Sequence, residues 1–181
     1  MSGKITNHWT IREAQHKHID FLASFGRQSF IDSYKCTLAL SELDKYTRVA
    51  FAPSTISNEI DSDTVVYYVC EDSERHAGGY AKLVKSEPPD CIPPGDRIEL
   101  QRLYVEDRFR GQGIGQLLEE RCEQYALEQG MRSIWLRVWD GNEQAVSLYE
   151  KWSYTTVGDA PYPVGDDVRR VLIMRKPLSR G

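Results

Sequence analysis

Arg-Gly-Gln-Gly-Ile-Gly, at residues 110–115, is the stretch of sequence that decides the fold of this chain. Three glycines at alternate positions allow backbone φ values that other residues avoid, and they leave no Cβ to block a ligand. The preceding residues predict a strand over Arg97–Val105, and the following ones predict a strongly amphipathic helix. The first amides of that helix have no internal partners and point outward. The turn therefore predicts a binding site for a phosphate or pyrophosphate, with Arg110 adding a positive charge.

Two common phosphate-binding motifs do not account for this turn. The P-loop pattern requires Lys-Ser or Lys-Thr after its glycines, and neither dipeptide follows here. The dinucleotide fingerprint GxGxxG fails because Gln116 stands where its third glycine would be. A tight turn that uses glycine only for its conformation remains the alternative at this point.

Outward from the turn, the chain predicts an α/β (α+β) fold in which helices flank a mixed, mostly antiparallel sheet, in one domain over residues 1–181. The predicted strands are Trp9–Arg12, Thr64–Cys70, Gly79–Val84, Arg97–Val105, Ile134–Val138 and Val168–Met174. The predicted helices are Ile19–Tyr34, a second one capped by Ser41 and running to Ala50, one ending at Gly130, and one beginning at Asn142. In the helix that follows the turn, six residues are expected to share an apolar face: Ile114, Leu117, Leu118, Cys122, Tyr125 and Ala126. Gly78-Gly79 is expected near a hairpin turn, and the proline-rich stretch 87–95 is expected to be a loop.

Composition disfavours several classes of protein. The net charge of -4 disfavours a nucleic-acid-binding protein, which needs clustered Lys and Arg. No run approaches the roughly 20 apolar residues that span a bilayer, and residues 1–8 lack the apolar stretch of a signal peptide, so a cytoplasmic location is expected. Four separated cysteines, without a CxxC pair or histidines at zinc spacing, indicate reduced thiols and no metal site.

The pattern Arg110-x-x-Gly113-x-Gly115 resembles the Q/R-x-x-G-x-G/A motif of the GNAT superfamily of N-acetyltransferases. The flanking Leu103-Tyr104-Val105 and Leu117-Leu118 are similar to the same family. The resemblance implies that the turn binds the pyrophosphate of coenzyme A and that acetyl-CoA is the co-substrate. It also implies that a backbone N–H near Val105 polarises the thioester carbonyl. The residues that it assigns to cofactor binding are Leu103, Val105, Arg110, Gly111, Gln112, Gly113, Ile114, Gly115, Asn142 and Tyr149.

A second block of sequence, Trp135–Trp139 followed by Asn142, Ala145 and Leu148–Lys151, is similar to the next conserved region of that family. Asn142 and Tyr149 lie seven residues apart, close to two helical turns, so they share one helix face. An ordinary N-cap for Asn142 and a core-facing ring for Tyr149 are the alternatives. The resemblance implies that Tyr149 protonates the thiolate of coenzyme A. The chain departs from the family in carrying Ser153-Tyr154 where Gly-Phe is common, which puts the end of this helix in doubt.

Acetyl transfer to an amine requires a base, because a free alkylamine has a pKa of about 10.4 and is mostly protonated at neutral pH. Glu99 is the candidate base, since it lies in the strand before the glycine turn, at the position of the glutamate base of some histone-acetylating members of the family. A solvated strand glutamate is the alternative. In this family the acetyl group passes directly to the amine, without a covalent enzyme intermediate.

The acceptor is the least determined part of the prediction. Residues 30–34, 138–142 and 162–166 look like the bacterial polyamine (spermidine/spermine) acetyltransferase branch, with Trp139 the most distinctive residue. The candidate substrate-binding residues are Asp32, Tyr34, Trp139 and Tyr162, and three aspartates, Asp32, Asp166 and Asp167, could attract a polycation. Surface aspartates and packed aromatic rings are the alternative. An amino acid or an aminoglycoside could equally be the acceptor.

A protein N-terminal or lysine acetyltransferase and a non-catalytic acyl-CoA sensor are the other candidate functions. A homodimer could form by edge pairing of the final strand, Val168–Met174.

Overall fold

The computed structural model describes residues 8–95, 97–164 and 166–179, which contain seven strands and five α-helices. In chain order these are β1 (Thr10–Glu13), α1 (Ile19–Tyr34), α2 (Leu40–Ala50), α3 (Pro53–Ile60), β2 (Val65–Glu71), β3 (Ala77–Val84), β4 (Arg97–Val105), α4 (Ile114–Glu128), β5 (Ser133–Trp139), α5 (Glu143–Lys151), β6 (Thr155–Val164) and β7 (Asp167–Pro177). The predicted bounds of α1 and β4 are confirmed, and residues 87–95 form a loop as expected.

The seven strands form one sheet in the order β1-β2-β3-β4-β5-β7-β6. Only the β4–β5 pair is parallel among these neighbours, and the other pairs are antiparallel. The parallel pair follows from its connection, because α4 carries the chain back across the sheet between β4 and β5. The predicted mixed, mostly antiparallel sheet is therefore confirmed.

Helices cover both faces of the sheet. On one face, α4 buries an i, i+4 series against the strands, formed by Ile114, Leu118, Cys122 and Ala126. Leu117, which the sequence placed on the same face, is 38% exposed, because a helix lying on a sheet buries only a narrow stripe. On the other face, α1 and α3 pack over the central strands through Leu22 and Ile56.

Three details of the elements differ from the prediction. Ser41 does not cap the second helix, because α2 already begins at Leu40 and Ala39 occupies the N-cap in an extended conformation. The sequence reading missed α3, although Pro53 at its first turn is a recognised start signal. It also missed β6, whose Pro161 and Pro163 argue against a strand but are tolerated because β6 lies at the sheet edge.

Gly78 and Gly79 are the second and third residues of β3, directly after the hairpin turn at residues 72–76, so their expected place near that turn is confirmed. A Cβ added to Gly78 would come within 2.7 Å of the Trp9 ring, and one added to Gly79 within 2.7 Å of the Tyr104 carbonyl oxygen. Besides following the turn, these glycines therefore permit close packing against the Trp9 ring and the neighbouring strand β4.

The final strand is not an edge of the sheet. β7 pairs with β6 along most of its length and with β5 from Val171 onward, so it lies between two strands and not at the sheet edge. Dimerisation by edge pairing of this strand is therefore wrong, and the homodimer itself stays a prediction. Within residues 8–95, 97–164 and 166–179, none of the helices combines the length and the apolar character needed to cross a membrane.

Candidate functional site

The site lies where strands β4 and β5 separate, at a fork in the sheet. The two strands pair only over Arg97–Glu99 and Ser133–Trp135, and beyond this point each continues without the other. The space between them is part of a cavity of about 950 Å³. Separated strands leave backbone N–H and C=O groups facing the gap, and these can pair with an extended ligand that carries amides.

A bulge in β4 places two charged side chains on the same face. Lys82 on β3 is opposite Arg102, but Leu83 is opposite Leu100, so Gln101 has no partner on β3. Without the extra residue, Glu99 and Arg102 would point to opposite faces of the sheet. With it, both side chains line the cavity on the face that carries α1 to α3.

The glycine turn fits the phosphate group that its sequence predicts. Gly111 has φ +77° and Gly113 has φ +84°, and a Cβ added at either position would meet no atom within 4 Å. The amide of Leu117 is bonded to the Gly113 carbonyl at 3.0 Å, whereas the amides just before it belong to the first, unpaired turn of α4. Arg110 stays exposed at the rim, paired with Asp107 at 2.8 Å. Open space, unpaired amides and positive charge together suit the pyrophosphate of coenzyme A.

The backbone of Val105 faces the fork. The next amide along, that of Glu106, is bonded to the Gly78 carbonyl on β3 at 2.9 Å. Because alternate residues of a strand direct their N–H groups to opposite sides, the Val105 N–H points away from β3 and toward the gap. It is therefore placed to meet the carbonyl oxygen of a group held between β4 and β5.

Asn142 and Tyr149 lie together on α5 along the cavity. Asn142 is the N-cap, and its Oδ1 accepts a hydrogen bond from the Ala145 amide at 3.1 Å. The half-buried Tyr149 ring packs against Trp152 and Tyr154, with ring centroids 5.8 and 5.6 Å away. Burial raises the pKa of Tyr149, so its hydroxyl stays protonated at neutral pH and can donate a proton. The N-cap reading of Asn142 is confirmed, and Tyr149 packs and lines the cavity at once.

Glu99 is buried, with 2% of its surface exposed, so the reading as a solvated strand glutamate is wrong. One carboxylate oxygen accepts a hydrogen bond from the Arg137 guanidinium on β5, and the other accepts one from the Ser86 hydroxyl. The guanidinium of Arg137 in turn lies 4.5 Å from the Trp135 ring centroid. Each carboxylate oxygen keeps lone pairs beyond these bonds, so Glu99 can still accept a proton or a further hydrogen bond.

Aromatic side chains from four separate elements form a wall of the cavity that Glu99 also lines. The rings of Tyr34 and Trp139 lie 6.3 Å apart, and the hydroxyl of Tyr162 is 3.4 Å from that of Tyr46. Burial raises the pKa of Tyr34 to about 12 and also raises that of Tyr162, so both hydroxyls are neutral. The predicted substrate-binding aromatics are therefore brought together by the fold.

The three aspartates that were expected to attract a cation each have a partner at the surface. Asp32 accepts a hydrogen bond from Lys35 at 2.7 Å, and this bond lowers the pKa of the carboxyl group. Asp166 is paired with Lys45 at 3.1 Å, and Asp167 is paired with Arg169 at 2.9 Å. Only Asp32 among the three lines the cavity. Their charges are thus largely balanced before any ligand arrives.

The cavity has two halves. We call the half lined by Val105, residues 110–111 and 113–115 and Tyr149 the cofactor half, and the half lined by Tyr34, Trp139 and Tyr162 together with Glu99 and Arg102 the acceptor half. Gln112 is the exception among the predicted site residues, because its side chain turns away and accepts a hydrogen bond from the Trp9 indole at 3.4 Å.

Among the lining residues that the sequence did not assign to the site, three carry polar groups that bear on the chemistry of the cavity: Tyr46, Arg102 and Arg137. Arg137 is the one charged residue within β5, and that position was the available signal. In contrast, β4 also holds Arg97, Glu99 and Gln101 and so gave no comparable signal for Arg102. In the part of the chain that the structure describes, His, Cys, Asp and Glu side chains form no group of three or more that could hold a metal ion.

Comparison with known proteins identifies the family. The profile of the acetyltransferase (GNAT) family matches residues 29–154. An uncharacterised N-acetyltransferase in the pepI 3′ region of Lactobacillus delbrueckii subsp. lactis is 23% identical over 169 residues, covering 93% of this chain and 96% of that protein. PaiA N-acetyltransferase from Thermoplasma acidophilum, solved in complex with coenzyme A, has a TM-score of 0.72 at 18% identity over 93% of this chain and 98% of that chain.

Spermidine N-acetyltransferase from Vibrio cholerae, solved in complex with CoA and spermine, has a TM-score of 0.68 at 18% identity and covers 94% of this chain and 95% of that chain. At such identities these structural likenesses concern the fold. The family profile is more specific, because it spans the glycine turn, the fork and α5 together. This chain therefore belongs to the acetyltransferase (GNAT) family.

Proposed function

We propose that this protein transfers the acetyl group of acetyl-CoA to the primary amine of a small molecule, by direct attack of the amine on the thioester. The observation that carries the proposal is the continuity of the cavity. It runs from the glycine turn, past the Val105 amide and the Tyr149 hydroxyl, to the buried Glu99 carboxylate and the aromatic wall. A donor site, an acid, a base and an acceptor site therefore share one space.

As a member of this family the protein uses acetyl-CoA as its co-substrate. The turn at 110–115 would hold the pyrophosphate through its unpaired amides, and Arg110 would add charge at the rim. The unpaired edges of β4 and β5 would pair with the two amide groups of the pantetheine arm. The thioester would then lie near the Val105 N–H, at the boundary between the two halves of the cavity.

Three groups of the protein would carry the reaction. Glu99, directly or through a water molecule, takes a proton from the ammonium of the acceptor, and the free amine then attacks the thioester carbon. The Val105 N–H donates a hydrogen bond to the oxygen that becomes negative. As the new C–N bond forms and the C–S bond breaks, Tyr149 donates its proton to the departing thiolate. The nitrogen then loses its second proton, which restores the Tyr149 hydroxyl through solvent, and Glu99 releases its own proton to solvent. The products are the N-acetylated amine and coenzyme A with a free thiol.

The shape of the acceptor half favours a small molecule over a protein segment. Tyr34 and Tyr46 come from α1 and α2, Trp139 from β5 and Tyr162 from β6, so the chamber is walled by four elements. A polyamine is the second candidate. It is supported by the fold likeness to the Vibrio cholerae enzyme and by rings that can face a cation or its methylenes. A cytoplasmic location belongs to the same proposal and is supported by four free thiols.

The test is turnover of acetyl-CoA with a panel of amines, followed through the free thiol of coenzyme A. The panel holds spermidine, spermine, amino acids, an aminoglycoside and a lysine peptide. Turnover of one small-molecule class is expected, and turnover of the peptide alone would favour a protein acetyltransferase. Binding of acetyl-CoA without any turnover would favour the sensor alternative.

The Glu99→Gln variant sharpens this test. Its kcat/KM should fall by about 100-fold at pH 7 and recover partly toward pH 10, where free amine is abundant without a base. The matched control is Glu123→Gln, which alters a carboxylate paired with Lys176 outside the cavity and should change nothing. An unchanged rate in Glu99→Gln would remove Glu99 from the mechanism.

A further inference from the structure

Arg102 carries a buried charge that nothing in the described chain neutralises. Its side chain is 7% exposed, and its Nη1 atom is buried without a hydrogen-bond partner. Among residues 8–95, 97–164 and 166–179, none of the acidic side chains forms an ion pair with it. Arginine keeps its proton in proteins, so the charge persists. An unpaired buried charge is costly, and one kept at a cavity wall indicates a missing partner.

The groups around Arg102 cannot supply a negative charge. The guanidinium lies 4.1 Å from the centroid of the Phe51 ring. Several tyrosines surround it, among them Tyr67, Tyr80 and Tyr104. Burial raises the pKa of all three phenols, so they remain neutral at any physiological pH. They can shape the pocket around an anion but cannot replace it.

The surrounding charges add up to one uncompensated positive charge. Lys82, the cross-strand neighbour of Arg102, is bonded to Glu59 at 2.6 Å, and Glu99 is paired with Arg137. Among these charged groups, only the guanidinium of Arg102 is left without a partner of opposite charge. A single positive charge with a planar fork of donors suits a carboxylate. A phosphate monoester, with about -1.5 to -2 charges, would need more.

We propose that Arg102 binds the carboxylate of the acceptor, so that the acceptor is an amino carboxylic acid. The inference rests on the proposed function and names the substrate class of the same cavity. Because of the bulge, Glu99 and Arg102 are neighbours on one face of β4, roughly 7 Å apart along the strand. The amine of the acceptor then lies beside Glu99 and its carboxylate beside Arg102.

The test compares amines that differ only in the carboxylate. The twenty common L-amino acids are screened with acetyl-CoA, and kcat/KM is then measured for three pairs: L-lysine and cadaverine, L-ornithine and putrescine, and L-phenylalanine and phenethylamine. The amino acid that is turned over should be preferred to its decarboxylated partner by about 10- to 100-fold, the range for a hydrogen bond to a charged group. Equal use of both members, or a preference for the amines, would overturn the inference.

Two variants of Arg102 test whether its guanidinium causes the preference for the amino acid over the decarboxylated amine. In Arg102→Met the preference should vanish, through a higher KM for the amino acid. In Arg102→Lys it should survive in part, because the charge remains but the fork is lost. The melting temperature of Arg102→Met should not fall, because no paired charge is broken. The matched control is Arg121→Met, which removes an arginine stacked on Tyr68 outside the cavity and should leave the preference unchanged.

A failure of the proposed function can be told apart from a failure of this inference. Turnover of amines without any carboxylate preference would overturn only the role of Arg102. If no amine is turned over, calorimetry on the protein saturated with coenzyme A decides. Binding of an amino acid that is lost in Arg102→Met would support the carboxylate site alone, and no binding of any amino acid would overturn it.

Discussion

The two halves of the cavity are built from different kinds of group. The cofactor half relies on backbone: the amides of the turn at 110–115, the Val105 N–H and the open edges of β4 and β5. The acceptor half relies on side chains, with rings from α1, α2, β5 and β6 around Glu99 and Arg102. A backbone site suits a ligand common to a whole family, because many side chains can change without harming it. A site made of side chains can change its specificity through a few substitutions.

The largest expected effect is a loss of coenzyme A affinity when a glycine of the turn is replaced, which tests the cofactor half alone. Gly113→Val forces a β-branched residue to φ +84° and places a side chain where the phosphates would lie. We expect coenzyme A to bind about 100-fold more weakly by calorimetry, the scale of one or two lost charge-assisted hydrogen bonds. Gly130→Val is the matched control, since Gly130 has φ +75° at the far end of the same helix. If the two variants lose the same affinity, strain alone explains the effect.

The next effect should be confined to the acceptor half. Trp139→Ala removes the ring that faces Tyr34 at 6.3 Å. We expect the KM of the acceptor to rise by about 10-fold, in line with the loss of one aromatic contact. The dissociation constant of coenzyme A should stay within about 2-fold of the original value. A comparable loss in coenzyme A binding would show that the halves are not separable.

Lys82, the buried cross-strand neighbour of Arg102, predicts a pH dependence of stability. Burial, reinforced by the positive charge of Arg102, lowers the pKa of Lys82 from 10.5 to about 8. Between these values the unfolded chain binds more protons at this position than the folded chain, so folding stability rises with pH. From pH 8 to 9.5, the unfolding free energy should rise by about 1.5 kcal/mol relative to Lys82→Met, measured by urea denaturation. A flat difference between the two proteins would mean that Lys82 keeps its ordinary pKa.

The smallest expected effect is a change in stability at the end of α5, the helix that carries Tyr149 of the cofactor half. Ser153 adopts φ +69°, and the Tyr154 amide bonds back to the Tyr149 carbonyl at 3.0 Å, so the helix has the ending that glycine usually provides. Ser153→Gly should relieve this strain and stabilise the protein by about 0.5 kcal/mol, after the greater freedom of glycine in the unfolded chain is subtracted. Differential scanning calorimetry should show a rise in melting temperature of about 1 to 2 °C. A lower melting temperature would mean that the serine side chain contributes more than the strain costs.

The contrast between the halves also explains what the sequence could predict. The glycine turn, the strand before it and the helix after it are contiguous, so local pattern and the family motif located the cofactor half. The acceptor half depends on which segments meet in space. Trp139, Tyr34 and Tyr162 were found through resemblance. Arg102 was missed because the bulge at Gln101 depends on how β3 and β4 pair, and the sequence of β4 alone does not reveal this.

The measurement that tests the central claim most directly is the kinetics of Tyr149→Phe, since Tyr149 stands where the two halves meet. With any amine that proves to be an acceptor, kcat should fall by about 10²- to 10³-fold, while the dissociation constant of coenzyme A hardly changes. The matched control is Tyr125→Phe, which alters a tyrosine packed on α4 beside Tyr68, outside the cavity. A kcat for Tyr149→Phe equal to that of the control would contradict this account of how the cavity transfers an acetyl group.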